Sequence, residues 1–201
     1  QVVVIGEDLG TVPDGIREIL AEYGMYSYRV FFFEKAEDGG YVSPAHYPVQ
    51  AMATLSTHDL PTLIGFWHCE DLKLGQQLGL YRDEGQLQQL YQQRHANKQR
   101  ILDSLHGHGS LPEFYPRSSE NLGMDQTLNF ALQRHLAATS SQLLCLQLED
   151  ALQMSQPVNV PGTSNEYPNW RRKLTQNIEQ WQDNSEIHQL FVEISAKRQQ
   201  G

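Results

Sequence analysis

Apolar positions follow two rhythms along this chain. Mostly apolar runs occur at Gln1–Gly6, at Tyr28–Phe33 (interrupted by Arg29) and at Ala51–Thr57, and short runs bounded by Gly, Pro or charged residues predict buried strands. Gln142–Leu148 adds a fourth run, taken as a strand rather than a helix continuation. Between the runs the period lengthens to that of a helix. Thr11 offers an N-cap and Pro13 an early helical proline, followed by Ile16, Ile19 and Leu20 and a stop before Gly24. Pro61 opens a helix carrying Leu63, Ile64, Phe66 and Trp67, and a glutamine-rich helix over 84–105 holds Leu87, Leu90, Tyr91, Ile101, Leu102 and Leu105, with the glutamines as its solvated face. Helices are also predicted over 123–138 and around Ile187, Leu190, Phe191 and Ile194. A loop through Gly39, Gly40, Pro44 and Pro48 is long enough to be functional, and a second Pro/Gly/Asn-rich loop spans 156–169.

Strands separated by helical segments predict an α/β fold with a parallel sheet, and four such units amount to the second half of a (β/α)8 barrel. The opening run reads as a buried parallel strand with no neighbour before it, so the sequence is expected to continue upstream. The raw sheet edges of half a barrel predict self-association or partial melting of the isolated chain.

Composition narrows the function. Fifteen Lys and Arg stand against 24 Asp and Glu, a net charge of -9, so nucleic acid and anionic membranes are poor partners. No stretch approaches the roughly 20 apolar residues of a membrane span. Cys69 and Cys145 are too few for a disulfide framework, and a reducing, cytoplasmic setting fits.

Carboxylates follow every expected strand: Glu7-Asp8, Glu34, His58-Asp59 and Glu149-Asp150. On a parallel barrel the C-terminal strand ends converge on one cavity, where neighbouring carboxylates suit the acid/base chemistry of glycosidic bond cleavage. Asp8, Glu34 and Asp150 read better as helix N-caps, whereas Glu7 and Asp59 read as functional, with His58 as a sugar-hydroxyl donor. A metal site is the competing use, but no His-Glu-x-x-His word occurs, and His106-Gly107-His108 falls in a helix-ending loop. Gly-x-Ser-x-Gly, phosphate-loop and dinucleotide fingerprints are absent. Tyr41, Tyr47 and Trp67 are either sugar-stacking rings of a binding module or packing residues.

Three words carry a resemblance: Val4-Ile5-Gly6-Glu7-Asp8-Leu9-Gly10-Thr11-Val12-Pro13, then Leu55-Ser56-Thr57-His58-Asp59-Leu60-Pro61-Thr62, then Val158-Asn159-Val160-Pro161-Gly162-Thr163 with Asn169-Trp170-Arg171-Arg172. In this order they resemble the 4-α-glucanotransferases of glycoside hydrolase family 77, closest to the bacterial maltodextrin-system type. The resemblance implies an α-amylase-like barrel, a retaining transfer of α-1,4-glucan segments between maltodextrins, and no metal or cofactor. It places the general acid/base on Glu7, transition-state stabilisation on Asp59, sugar contacts on His58, and the groove lining on Asn159 and the Pro161-Gly162 turn. Trp170 reads as a packing residue. The family's nucleophile word is missing, so the resemblance implies a C-terminal part that is inactive without its upstream half. Plain α-glucoside hydrolysis and an α-glucan-binding module stand as alternatives.

Overall fold

The structure, a computed structural model, describes residues 2–199, so Gln1 of the first expected strand lies outside the described residues. In chain order it contains helix α1 (Ile16–Glu22), strands β1 (Ser27–Val30) and β2 (Ala51–Thr54), and helices α2 (Leu63–Trp67), α3 (Glu70–Gln77), α4 (Glu84–Gly107) and α5 (Gln126–Ala137). Strand β3 (Leu143–Cys145) and helices α6 (Leu148–Ala151), α7 (Ile178–Gln182) and α8 (Ser185–Gln199) complete it. The three strands form a parallel sheet in the order β1-β2-β3. Among the described residues no helix is long and apolar enough to cross a membrane.

Each expected strand is shorter than its apolar run, for a local reason. The first reduces to a single parallel bridge between Ile5 and Tyr26, with Tyr26 N–H donating to Val4 C=O (2.9 Å) and Gly6 N–H to Tyr26 C=O (2.8 Å). Its Val2, Val3, Val4 and Ile5 are exposed rather than buried, because among the described residues the segment is paired along one edge only. β1 gives way to a 3-10 turn at Phe31–Phe33, which inserts Phe31 and Phe32 side by side into the core and leaves Phe33 outside. An extended strand would have sent adjacent rings to opposite faces. β2 stops at Thr54, whose hydroxyl donates to Ser56 C=O (2.9 Å) while Ser56 Oγ donates to Pro61 C=O (2.8 Å), side-chain bonds that replace the ladder. β3 is half-exposed, with Cys145 on the surface.

The helices correct the reading in smaller ways. α1 begins at Ile16 behind a left-handed Gly15 (φ 82°) instead of a Thr11 cap, and none of its residues is buried. α2 is capped by Thr62, whose Oγ1 accepts from Gly65 N–H at 3.1 Å, not opened by Pro61. α4 matches its pattern, buries Leu87, Ile101, Leu102 and Leu105, and also buries Arg94. That guanidinium is held by two 2.7 Å bonds to Asp71 and a third to Phe66 C=O.

Register explains where the core lies. Tyr28, Met52 and Leu143 align on one sheet face and remain half-exposed; Ala53 and Leu144 turn to the other. There they join Leu102 and Leu105 of α4 and Leu128, Leu132 and Leu136 of α5. Tyr41, Tyr47 and Trp67 belong to the same core, Trp67 donating its indole N–H to Leu122 C=O at 2.7 Å, so the sugar-stacking reading of these rings is overturned. Helix α8 closes the outside of α5 through Leu190 and Ile194. Helices α4 and α5 therefore pack on the face that carries Ala53 and Leu144, whereas on the opposite face Tyr28 and Met52 stay half-exposed and Val30 and Thr54, at the strand ends, are buried.

Candidate active site

Three residues beyond β2 the chain makes a turn, with Leu60 N–H donating to Thr57 C=O (3.2 Å) and Asp59 N–H to Thr57 Oγ1 (3.2 Å). His58 and Asp59 fill its two central positions, and both side chains are about half exposed, at 54% and 48%. Asp59 Oδ1 accepts a 2.6 Å hydrogen bond from Asn159 Nδ2, and its Oδ2 lies 3.4 Å from His58 Nε2. One carboxylate oxygen is thus held by a hydrogen bond and the other lies beside an imidazole, while the group still faces solvent.

Asn159 is presented by a loop that braces itself. Val160 C=O accepts from Thr163 N–H (3.3 Å) and Thr163 Oγ1 (2.7 Å), closing a turn with Pro161 and Gly162 at its centre. Gly162 has φ 81°, the left-handed position that Pro-Gly turns require and that a Cβ would strain. Asn169 accepts from Val160 N–H (2.8 Å) and donates to Thr163 Oγ1 (2.8 Å), and Trp170 N–H donates to Val158 C=O (2.9 Å).

Trp170 is the residue that sequence reasoning misplaced. It is 63% exposed, and its ring centroid lies 5.1 Å from that of His58 at a 44° tilt. Its backbone is left-handed (φ 61°), uncommon for so bulky a residue, and such conformations gather at binding sites. Its place in the Asn169-Trp170-Arg171 word was the available signal. A cleft of about 240 Å³ opens beside the group, lined by Asp59, Leu60, Asn159, Val160, Pro161 and Tyr81 among others.

The structure therefore unites Asp59, His58, Asn159 and Trp170, with Gly162 in the adjoining turn. Glu7, two residues past the Ile5 bridge, is exposed and makes no hydrogen bond to that group among the described residues. Burial raises the Tyr28 hydroxyl, and the charges of Cys145 and Glu7 raise it further. Next to Glu7, Asp8 is buried and accepts from Ser27 Oγ (2.6 Å), Tyr28 N–H (2.7 Å) and Arg17 Nε (2.9 Å). Burial alone would raise its carboxyl, but these donors outweigh it and hold Asp8 below the ordinary aspartate range. Asp8 is thus a tie between the first segment and β1, not a helix cap. Glu34 lies 3.6 Å from Arg29, and burial lifts its carboxyl against that neighbour's charge.

Asp150 also departs from its expected role. It lies within α6 and caps another helix, accepting Leu63 N–H of α2 at 2.7 Å, while its Oδ2 is buried without a partner. Burial chiefly, with Glu149 adding, pushes its carboxyl up to about 7 from an ordinary 3.8. Between those values the folded chain holds a proton that the unfolded chain has released, so Asp150 makes stability fall as pH rises from about 4 to about 7. Thermal melts should show Asp150→Asn gaining on the native protein over that window, with the difference levelling off above it. A difference that stays constant with pH would contradict the assignment. No three His, Cys, Asp or Glu side chains gather as a metal site among the described residues.

Comparison with known proteins gives a consistent answer. The family described as 4-alpha-glucanotransferase, glycoside hydrolase 77, matches residues 1–178. A 4-alpha-glucanotransferase of Haemophilus influenzae is 41% identical over 98% of this chain and 28% of that protein. One from Mycobacterium tuberculosis is 33% identical over 86% of this chain and 23% of that protein. Among solved structures, amylomaltase from Corynebacterium glutamicum superposes with a TM-score of 0.84 at 28% identity, covering 98% of this chain and 28% of that one. Amylomaltase from Streptococcus agalactiae in complex with acarbose shares the fold at a TM-score of 0.61 and 18% identity, over 96% of this chain and 31% of that one. The chain thus spans about a quarter of the length of the two curated relatives, 28% and 23%.

Proposed function

This chain belongs to the 4-alpha-glucanotransferase family, glycoside hydrolase family 77, and we propose that it is the C-terminal part of a (β/α)8-barrel enzyme that transfers α-1,4-glucan segments between maltodextrins with retention. The consecutive parallel order of the Ile5 segment, β1, β2 and β3, with α4 and α5 packed on the face of Ala53 and Leu144, supports the half-barrel placement. The observation that carries the functional reading is the 2.6 Å bond between Asn159 and Asp59, which joins the turn after β2 to the loop after β3 beside an exposed Trp170. Oriented carboxylate, amide and imidazole groups next to an aromatic ring match the hydroxyls and the apolar face of a glucose unit.

In this mechanism Glu7, in its acid form, protonates the leaving glycosidic oxygen while a carboxylate on an upstream segment attacks the anomeric carbon. Glu7 then takes a proton from the incoming 4-hydroxyl, which displaces the enzyme carboxylate and restores the original configuration. Asp59 holds hydroxyls whose bonds tighten as the ring flattens toward an oxocarbenium ion. His58 and Asn159 contact the same sugar, and the Pro161-Gly162 turn borders the groove. Sugar rather than water as acceptor makes the reaction a transfer. The 201 residues alone are inactive on this reading, which needs no metal or cofactor and places the enzyme in the cytoplasm.

Product analysis of maltotriose with the complete polypeptide tests the proposal. Glucose together with a ladder of longer maltodextrins is the expected result. Glucose and maltose without longer products would replace transfer by hydrolysis, and unchanged maltotriose would leave only binding.

A further inference from the structure

The geometry points to Asp150 as a positioning residue for the Asp59 turn, an inference that rests on the transfer reading. Two long-range bonds join the same pair of segments. Leu63 N–H donates to Asp150 Oδ1 at 2.7 Å across 87 residues, and Asn159 donates to Asp59 at 2.6 Å across 100. They close a ring: from Asp59 along the turn to Leu63, across to Asp150, along the chain to Asn159 and back to Asp59. One bond lies in the buried base of the ring and the other at its exposed rim.

The base is built to be rigid. Thr62 Oγ1 serves the Gly65 N–H, which leaves Leu63 N–H as a helix-end donor that must find a partner elsewhere. Gly65 allows α2 to press against the α6 side, since a Cβ there would stand 2.6 Å from Ser155 C=O. On that side Arg172 ties the chain down, reaching Glu149 Oε1 (3.3 Å), Met154 Sδ (3.2 Å) and Pro157 C=O (3.4 Å). Asp150 is 2% exposed and spends one oxygen on Leu63 while the other has no partner. A buried carboxyl so poorly satisfied is costly, and what it secures is the placement of α2, whose first turn leads directly out of the His58-Asp59 turn. Displacing a reacting or stabilising group by about 1 Å lowers turnover by as much as about a hundredfold.

The test is maltotriose kinetics on the complete polypeptide with Asp150→Ala and Asp150→Asn. Alanine should lower kcat by about tenfold or more with a smaller change in KM, and asparagine, which keeps an acceptor for Leu63 N–H, should recover kcat to within about threefold. A wild-type kcat in the alanine variant, or an asparagine variant no better than alanine, would overturn the inference. Should Asp150→Ala not fold, Gly65→Ala presses on the same junction with Asp150 intact, and an unchanged kcat there overturns it equally. If the native protein makes no ladder, the transfer reading falls and positioning is read from maltotriose quenching of Trp fluorescence: binding weakened tenfold by Asp150→Ala supports it, and unchanged binding overturns it. A native protein that neither transfers nor binds overturns both.

Discussion

Replacing Glu7 by Gln in the complete polypeptide is expected to lower turnover of maltotriose by about 10²- to 10⁴-fold, the usual contribution of a positioned general acid/base. The substitution is nearly isosteric and falls on an exposed side chain without a hydrogen-bond partner among the described residues, so the fold has little to lose. The backbone at this point is fixed from both sides, by the Ile5–Tyr26 bridge before it and by the triply hydrogen-bonded Asp8 after it. What the variant lacks is a transferable proton. A sugar alkoxide is a poor leaving group and needs that proton, whereas fluoride leaves without one. The variant should therefore consume an α-maltosyl fluoride far better than it consumes maltotriose. Equal losses on both substrates, or a loss below about tenfold, would remove Glu7 from the acid/base role.

Pairs of adjacent acids show what was legible in the sequence and what was not. Glu7-Asp8 and Glu149-Asp150 each announce a carboxylate near a strand end, but which member faces solvent is settled by partners far away in the chain. Ser27 and Tyr28 claim Asp8, and Leu63 claims Asp150. No local pattern contains those partners. The His58-Asp59 pair beyond a strand end is legible, but the turn that holds it is not, since the apolar run reads as strand through Thr57 while the Thr57 hydroxyl instead accepts Asp59 N–H. Helix α4 is legible, since a long amphipathic repeat states its own buried face. The Phe31–Phe33 run misleads because strand propensity speaks for extension, while the core rewards a turn that buries two consecutive rings. Helix α3 goes unseen because it is separated from α2 only by His68 and Cys69, the latter in a left-handed conformation (φ 58°), a break that a cysteine does not advertise. Trp170 was misjudged for the opposite reason: tryptophan is usually packed, and this one is held out on a strained backbone against His58.

Asp59→Asn should reduce kcat by about 10²- to 10³-fold with a lesser change in KM, the range found when a group aimed at transition-state charge is lost. The argument lies in the two oxygens. Oδ1 is taken by Asn159 and Oδ2 is approached by His58, so the charge is oriented before any sugar arrives and needs little reorganisation as the ring flattens. Asparagine keeps the shape but removes the charge. It must also turn its oxygen toward Asn159, or set two amide nitrogens 2.6 Å apart where one hydrogen bond stood. Its own nitrogen then faces His58 and the sugar, where an acceptor had been. Asn159→Ala separates orientation from charge, because it leaves the carboxylate intact while releasing one oxygen. Loss of one hydrogen bond to a charged group, about 1.5–3 kcal/mol, corresponds to roughly ten- to a hundredfold. Because the charge remains, Asn159→Ala should fall short of the Asp59→Asn effect. The double variant should be little worse than Asp59→Asn alone, since the two residues act as one unit. Fully additive losses in that cycle would mean that Asn159 meets the sugar independently of Asp59, and a KM effect without a kcat effect would move Asp59 from transition-state stabilisation to ground-state binding.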